Sequence, residues 1–188
     1  MPSPEHHADY TAFADTMTKS EIYEQLLDAV AALVDNQPNW VANCANTASL
    51  LYHAFHSMGG PAQGVNWAGF YVLNKRHAAE SPQQLILGPF MGKVACQTID
   101  FGRGVCGIAA QTRETQCVAN VNEFPGHIAC DGDTKSEIVV PILLADGCCV
   151  GVIDIDCTQL ACFDGEDVAS LNKLAQILSR ACDWSALL

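Results

Sequence analysis

The stretch SEIVVPILLADGCCVGVIDID, residues 136–156, constrains the fold of this chain more than any other. Asp146-Gly147 is a two-residue hairpin signal between two apolar runs, and it predicts an antiparallel pair with Ala145 opposite Cys148. Counting outward from that turn sets Glu137 opposite Asp156. Side chains alternate along a strand, and directly opposed residues point the same way. Asp154 and Asp156 therefore share a face with Val150, Val152 and Glu137. Carboxyls held that close repel one another, and desolvation would leave at least one protonated at neutral pH. Such a cluster donates a proton or grips a cationic amine. The competing reading is a hairpin end whose acids simply face water.

The flanking sequence supplies the rest of an α+β domain. Thr18-x-x-Glu21 is a capping box opening a helix over 19–34, with Ile22, Leu26, Leu27, Val30 and Val34 on one face. A second helix over 39–57 carries Val41, Cys44, Leu50, Leu51 and Phe55 and stops at Gly59-Gly60. After Pro61 come short runs rich in β-branched and aromatic residues: VNWAGFYVL, QQLILGPF, KVACQTIDF, TQCVANV, EIVVPILL and CCVGVIDID. These predict an antiparallel sheet of about six strands. GRGVCGIAAQT reads as a loop entering a short helix, and lacks the glycine spacing and lysine of a phosphate loop. A last helix over 164–184 buries Val168, Leu171, Leu174, Ala175, Leu178 and Cys182. The terminal helices pack on the sheet. Residues 1–17 are expected to be a flexible extension and 18–188 the single domain.

At 188 residues and 49% hydrophobic, the chain can build one core without staples. Nine basic against 21 acidic residues give −12, with no basic run to meet phosphates, so nucleic acid and anionic membranes are poor partners. The N-terminus lacks the basic and apolar regions of a signal peptide. The longest apolar stretch, 138–155, is broken by Pro141, Asp146, Gly147 and Gly151 and does not span a bilayer. These features place the protein in the cytoplasm, where most of its 10 cysteines stay free thiols. No C-x-x-C pair is present, so no metal is expected.

One cysteine invites a chemical reading. FPGHIACDGDTKSEIVVPI, residues 124–142, sets Cys130 after a Pro125-Gly126 turn and close to His127, a short loop upstream of Glu137. A thiolate is favoured by nearby positive charge and some exposure, and opposed by nearby carboxylates. By residue type alone Cys130 is more often inert filling than a nucleophile.

Taken together, NWAGFYVL, LILGPFMGKVACQTIDFGRGVCGIAAQT, FPGHIACDGDTKSEIVVPI and VGVIDIDC followed by FDGED resemble, in order and spacing, the free methionine-(R)-sulfoxide reductases, which are single GAF-domain enzymes. The resemblance spans about residues 20–184. It implies a GAF-like fold and three pocket cysteines: Cys130 as nucleophile, with Cys96 and Cys106 as candidate resolving thiols that the sequence does not separate. It also implies a substrate pocket built from Trp67, Tyr71, Glu137, Asp154 and Asp156. The hairpin register reaches the same three acids independently. The implied reaction reduces free L-methionine (R)-sulfoxide through a Cys130 sulfenic acid and an intramolecular disulfide. No cofactor is bound, and thioredoxin, ultimately NADPH, supplies the electrons to a monomer or homodimer. Trp67 and Tyr71 would pack on the methyl-thioether end, and His127 stays outside the catalytic set.

Cys157 sits where a serine would serve, and Cys117, Cys148, Cys149 and Cys162 have no role in the pattern. Two other readings fit the same residues. One is a GAF module that senses a small ligand or redox state without catalysis; the other is a Cys130–His127 hydrolase dyad, for which no oxyanion site is evident.

Overall fold

A computed structural model of the protein describes residues 12–14, 16–77, 83–127 and 131–188. Cys130 lies outside the described residues, as does most of the predicted N-terminal extension. Two helices open the domain, α1 (Lys19–Val34) and α2 (Trp40–Ser57). The strands follow as β1 (Val65–Leu73), β2 (Gln84–Gly92) and β3 (Thr98–Asp100). A short helix α3 (Gly104–Thr112) precedes β4 (Gln116–Val118), β5 (Ser136–Leu143) and β6 (Cys149–Cys157), and α4 (Gly165–Ala181) closes the chain. The sheet runs β3-β2-β1-β6-β5-β4 with every pairing antiparallel. This is the expected α+β architecture. Among the described residues no helix is long and apolar enough to cross a membrane.

Both faces of the sheet are covered, so its central strands read as almost unbroken apolar sequence. On one face α2 and α4 pack over Phe70, Val72, Ile138, Val140, Ile153 and Ile155, and α1 packs against those two helices. Burying each such side chain contributes about 1.5–3 kcal/mol. Phe13, within the predicted extension, also packs into this cluster. The other face carries a smaller cluster under α3, including Trp67, Tyr71, Val139 and Val152, and this face holds the site.

Side-chain caps fix the helix ends. Thr18 and Glu21 form the predicted capping box, with Thr18 N donating to Glu21 Oε2 at 2.8 Å and Glu21 N to Thr18 Oγ1 at 3.3 Å. Asp164 caps α4 in the same way with Asp167. Buried Asp167 also accepts from Tyr23 Oη and Lys19 Nζ, both at 2.6 Å, which locks α1 against α4. Val41, predicted on the apolar face of α2, is instead 47% exposed, because the buried stripe begins at Asn43 and Cys44.

The hairpin reaches the predicted register by a different route. Leu144, not Ala145, pairs with Cys148: Leu144 N donates to Cys148 O and Gly147 N to Leu144 O, each at 2.9 Å. Gly147 sits at φ 82°, so the loop holds a third residue in the left-handed conformation. That shifts the pairing by one. A bulge at Val150 then restores it, since Leu143 opposes Cys149 but Ile142 opposes Gly151. From there outward Val139 faces Asp154 and Glu137 faces Asp156, as the sequence predicts. The bulge also turns Val150 to the helical face, away from Val152, which corrects its expected place beside the acids.

Candidate active site

The site is a row of side chains across β1, β6 and β5. Asp156 lies between Trp67 on β1 and Glu137 on β5, and Asp154 lies between Gly69 and Val139. Trp67, Tyr71, Glu137, Asp154 and Asp156 line one pocket together with Cys106 and His127. The structure thus brings together every sequence-predicted site residue that it describes except Cys96, which packs against the same cluster.

The aromatic wall is a stack. Trp67 lies 5.8 Å from Tyr71 and 5.1 Å from Phe90, with interplanar angles of 22° and 14°. Residues 67 and 71 share a face, and Gly69 between them leaves room for the rings: a Cβ there would meet Phe90 Cβ at 2.3 Å. Each polar tip holds the segment linking β2 to β3. Trp67 Nε1 donates to Lys93 O at 3.2 Å and Tyr71 Oη to Cys96 O at 3.0 Å. The wall therefore fixes the backbone that carries Cys96.

The acids are dry. Glu137 and Asp154 are each 6% exposed, which removes the water that would stabilise their ionised forms. Burial pushes Glu137 well above the usual carboxylate range, and neighbouring Asp156 adds to this. Burial likewise pushes Asp154 up, reinforced by Glu137, to which it is hydrogen-bonded. Asp156 is also raised, by burial and then by Asp154. Asp154 Oδ1 has no hydrogen-bond partner among the described residues. A buried acceptor left open beside a pocket invites a donor from a ligand. The ligand atoms of Cys106, Glu137 and Asp154 lie within 4.8 Å of one another, a spacing that suits a shared proton, an ammonium group or a small cation.

The cysteines divide by state. Cys106, in the first turn of α3, is a buried free thiol whose sulfur lies 3.9 Å from Glu137 Oε1. Burial and then Asp154 and Glu137 push its pKa well up, so it stays protonated and donates to the acids. Among the described residues Cys96 is disulfide-bonded, whereas the eight other cysteines are free.

Sequence reasoning set His127 aside, yet its Nε2 lies 3.6 Å from Glu137 Oε2. Burial lowers its pKa, which favours the neutral ring. It also overlooked Lys93, whose Nζ reaches Asp131 at 3.3 Å and Asp133 at 2.9 Å, joining the Cys96 segment to the loop after Cys130. The signal was there in opposite charges on two loops, but nothing local shows that those loops meet.

The model of the GAF domain matches residues 20–182. The chain is 54% identical over 177 residues to the free methionine-R-sulfoxide reductase of Saccharomyces cerevisiae, covering 94% of each chain. It is 39% identical over 164 residues to the free methionine-R-sulfoxide reductase of Escherichia coli, covering 87% of this chain and 90% of the relative. The X-ray structure of free methionine-R-sulfoxide reductase from Neisseria meningitidis in complex with its substrate superposes with a TM-score of 0.79 at 40% identity, covering 94% of this chain and 95% of the other.

Proposed function

We propose that this chain, which belongs to the GAF-domain family of free methionine-R-sulfoxide reductases, reduces free L-methionine (R)-sulfoxide to L-methionine. The observation that carries the reading is the buried cluster of Glu137, Asp154 and Asp156, held toward its protonated forms beneath the Trp67–Tyr71 stack. A sulfoxide oxygen leaves sulfur only once protonated, and these acids supply the proton at neutral pH. Their remaining negative charge and the open Asp154 Oδ1 take the substrate ammonium. The aromatic faces take the methyl group next to the electron-poor sulfur.

Cys130 attacks the sulfoxide sulfur as a thiolate while the oxygen accepts a proton from the cluster. The oxygen transfers to Cys130 as a sulfenic acid and methionine leaves. Cys96 then attacks the Cys130 sulfur, water departs, and an S–S bond forms. The oxidised state of Cys96 and the buried, protonated state of Cys106 favour Cys96 for this resolving role. Cys106 serves instead as a donor to the acids. Neutral His127 is placed to exchange a proton with Glu137 between turnovers. Thioredoxin, a cytoplasmic dithiol fed by NADPH, reduces the disulfide by exchange.

The test incubates the protein with the R and S forms of free methionine sulfoxide, a thioredoxin system and NADPH. The expected result is NADPH loss with the R form only. Turnover of neither form, or of both equally, overturns the reading, and binding without turnover makes the chain a sensor.

A further inference from the structure

The proposed reduction leaves unused a second pair of cysteines, on the opposite side of the sheet from the acids. β6 ends at Cys157, whose side chain packs among the helices, and the chain then curls back so that Cys162 meets it. Three hydrogen bonds hold the curl. Thr158 N donates to Gly64 O at 2.9 Å, Ser136 Oγ donates to Gln159 O at 2.6 Å, and Ala161 N donates to Ala119 O at 2.9 Å. Cys162 N completes it by donating to Ser136 Oγ at 3.3 Å. Ala161 takes φ 50°, a left-handed conformation that a residue with a Cβ adopts only when its surroundings enforce it.

Within the curl the Cys162 thiol comes within reach of Cys157 Sγ, Gln159 N donates to Cys157 Sγ at 3.4 Å, and Cys157 Sγ when protonated donates to Pro61 O at 3.4 Å. The Cys162 thiol, followed by this backbone N–H, brings the Cys157 pKa down to about 7, while the same bond pushes Cys162 up. The pair thus holds one proton between two sulfurs near neutrality. Cys157 is fully buried and Cys162 is half-buried, so a reagent from solvent meets Cys162 first.

We propose that Cys157 and Cys162 form a second redox-active dithiol, oxidised to a disulfide by hydroperoxides independently of Cys96 and Cys130. The charge rests on Cys157, which acts as the base: as the Cys162 sulfur attacks the peroxide its proton passes to Cys157, whose S–H then donates to Pro61 O. The O–O bond breaks, one oxygen stays as the Cys162 sulfenic acid, and the other leaves as hydroxide, or as the alcohol from an organic hydroperoxide. Cys157 then attacks the Cys162 sulfur, the S–O bond breaks, water leaves, and the S–S bond forms. Two thiols lose two electrons and one peroxide gains them. Burial of Cys157 suits it to resolve rather than to attack, and proximity favours the disulfide over further oxidation.

The test uses protein carrying Cys96→Ser and Cys130→Ser, reduced, freed of reductant and exposed to hydrogen peroxide. Free thiols are then alkylated and peptides mapped without reduction. The expected product is a link between Cys157 and Cys162, absent when Cys162→Ser is added and present again in the otherwise unmutated protein. The proposal is overturned if both cysteines remain alkylatable, if Cys162 accumulates as sulfinic acid, or if it links to Cys117. None of these outcomes depends on sulfoxide turnover, so failure here leaves the proposed reductase reading standing.

Discussion

Replacing Asp154 by asparagine should stabilise the substrate-free protein at neutral pH while abolishing turnover. In the unfolded chain Asp154 ionises near its ordinary value of 3.8, whereas burial and Glu137 raise it well above that in the fold. A carboxyl with a raised folded pKa favours folding fully below its unfolded value, and that stability is lost as pH climbs toward the folded value. Each pH unit in that window costs about 1.4 kcal/mol. From 3.8 to pH 7 the loss therefore reaches a ceiling of about 4 kcal/mol, which asparagine does not incur. The amide keeps the local bonds, since its NH₂ replaces the acid proton donated to Glu137 and its oxygen still accepts from Cys106. Denaturant unfolding of both reduced proteins between about pH 5 and 7 checks this: the advantage of the variant should widen as pH rises, by no more than about 1.4 kcal/mol per unit. Parallel stability curves would refute the reasoning, because they would mean that Asp154 folds ionised.

Three further outcomes test the assignment of roles. Cys130→Ser should abolish even a single turnover without reductant, whereas Cys96→Ser should release one equivalent of methionine and accumulate sulfenic acid; quenched-flow analysis of methionine distinguishes them. Tyr71→Phe removes the 3.0 Å bond to Cys96 O, so disulfide formation should slow while the first methionine burst persists, with a stability loss of about 1 kcal/mol by thermal unfolding. Gly69→Ala forces a Cβ within 2.3 Å of Phe90 Cβ, and should cost about 1–3 kcal/mol of stability while raising KM as the ring stack is displaced.

The carboxyl cluster was legible because hairpin register is a local property. Asp146-Gly147 anchors it, and alternation carries the reading to Glu137, Asp154 and Asp156 without knowledge of the rest of the fold. Even so, the route differed, since neither the third loop residue nor the bulge at Val150 has a distinct sequence signal. Helix α1 was legible to the residue through its capping box. What escaped is what two distant loops do when they meet. His127 touches Glu137 and Lys93 touches Asp131 only because the segments after β2 and β4 close over one sheet face. Val41 escaped for another reason: a helix's apolar stripe ends where its neighbour ends, and periodicity does not record the neighbour.

Leu144 stays opposite Cys148 whether the loop between them holds two residues or three, and Val150 stands outside the ladder. Losing a loop residue, or Val150, would therefore keep Asp154 and Asp156 on the pocket face. One residue lost between Gly151 and Asp154 would instead flip the outer half of β6, delivering the acids to the helices and isoleucines to the pocket. The turn, roughly 20 Å of strand away from the acids, tolerates a change of length that the ladder beside them does not.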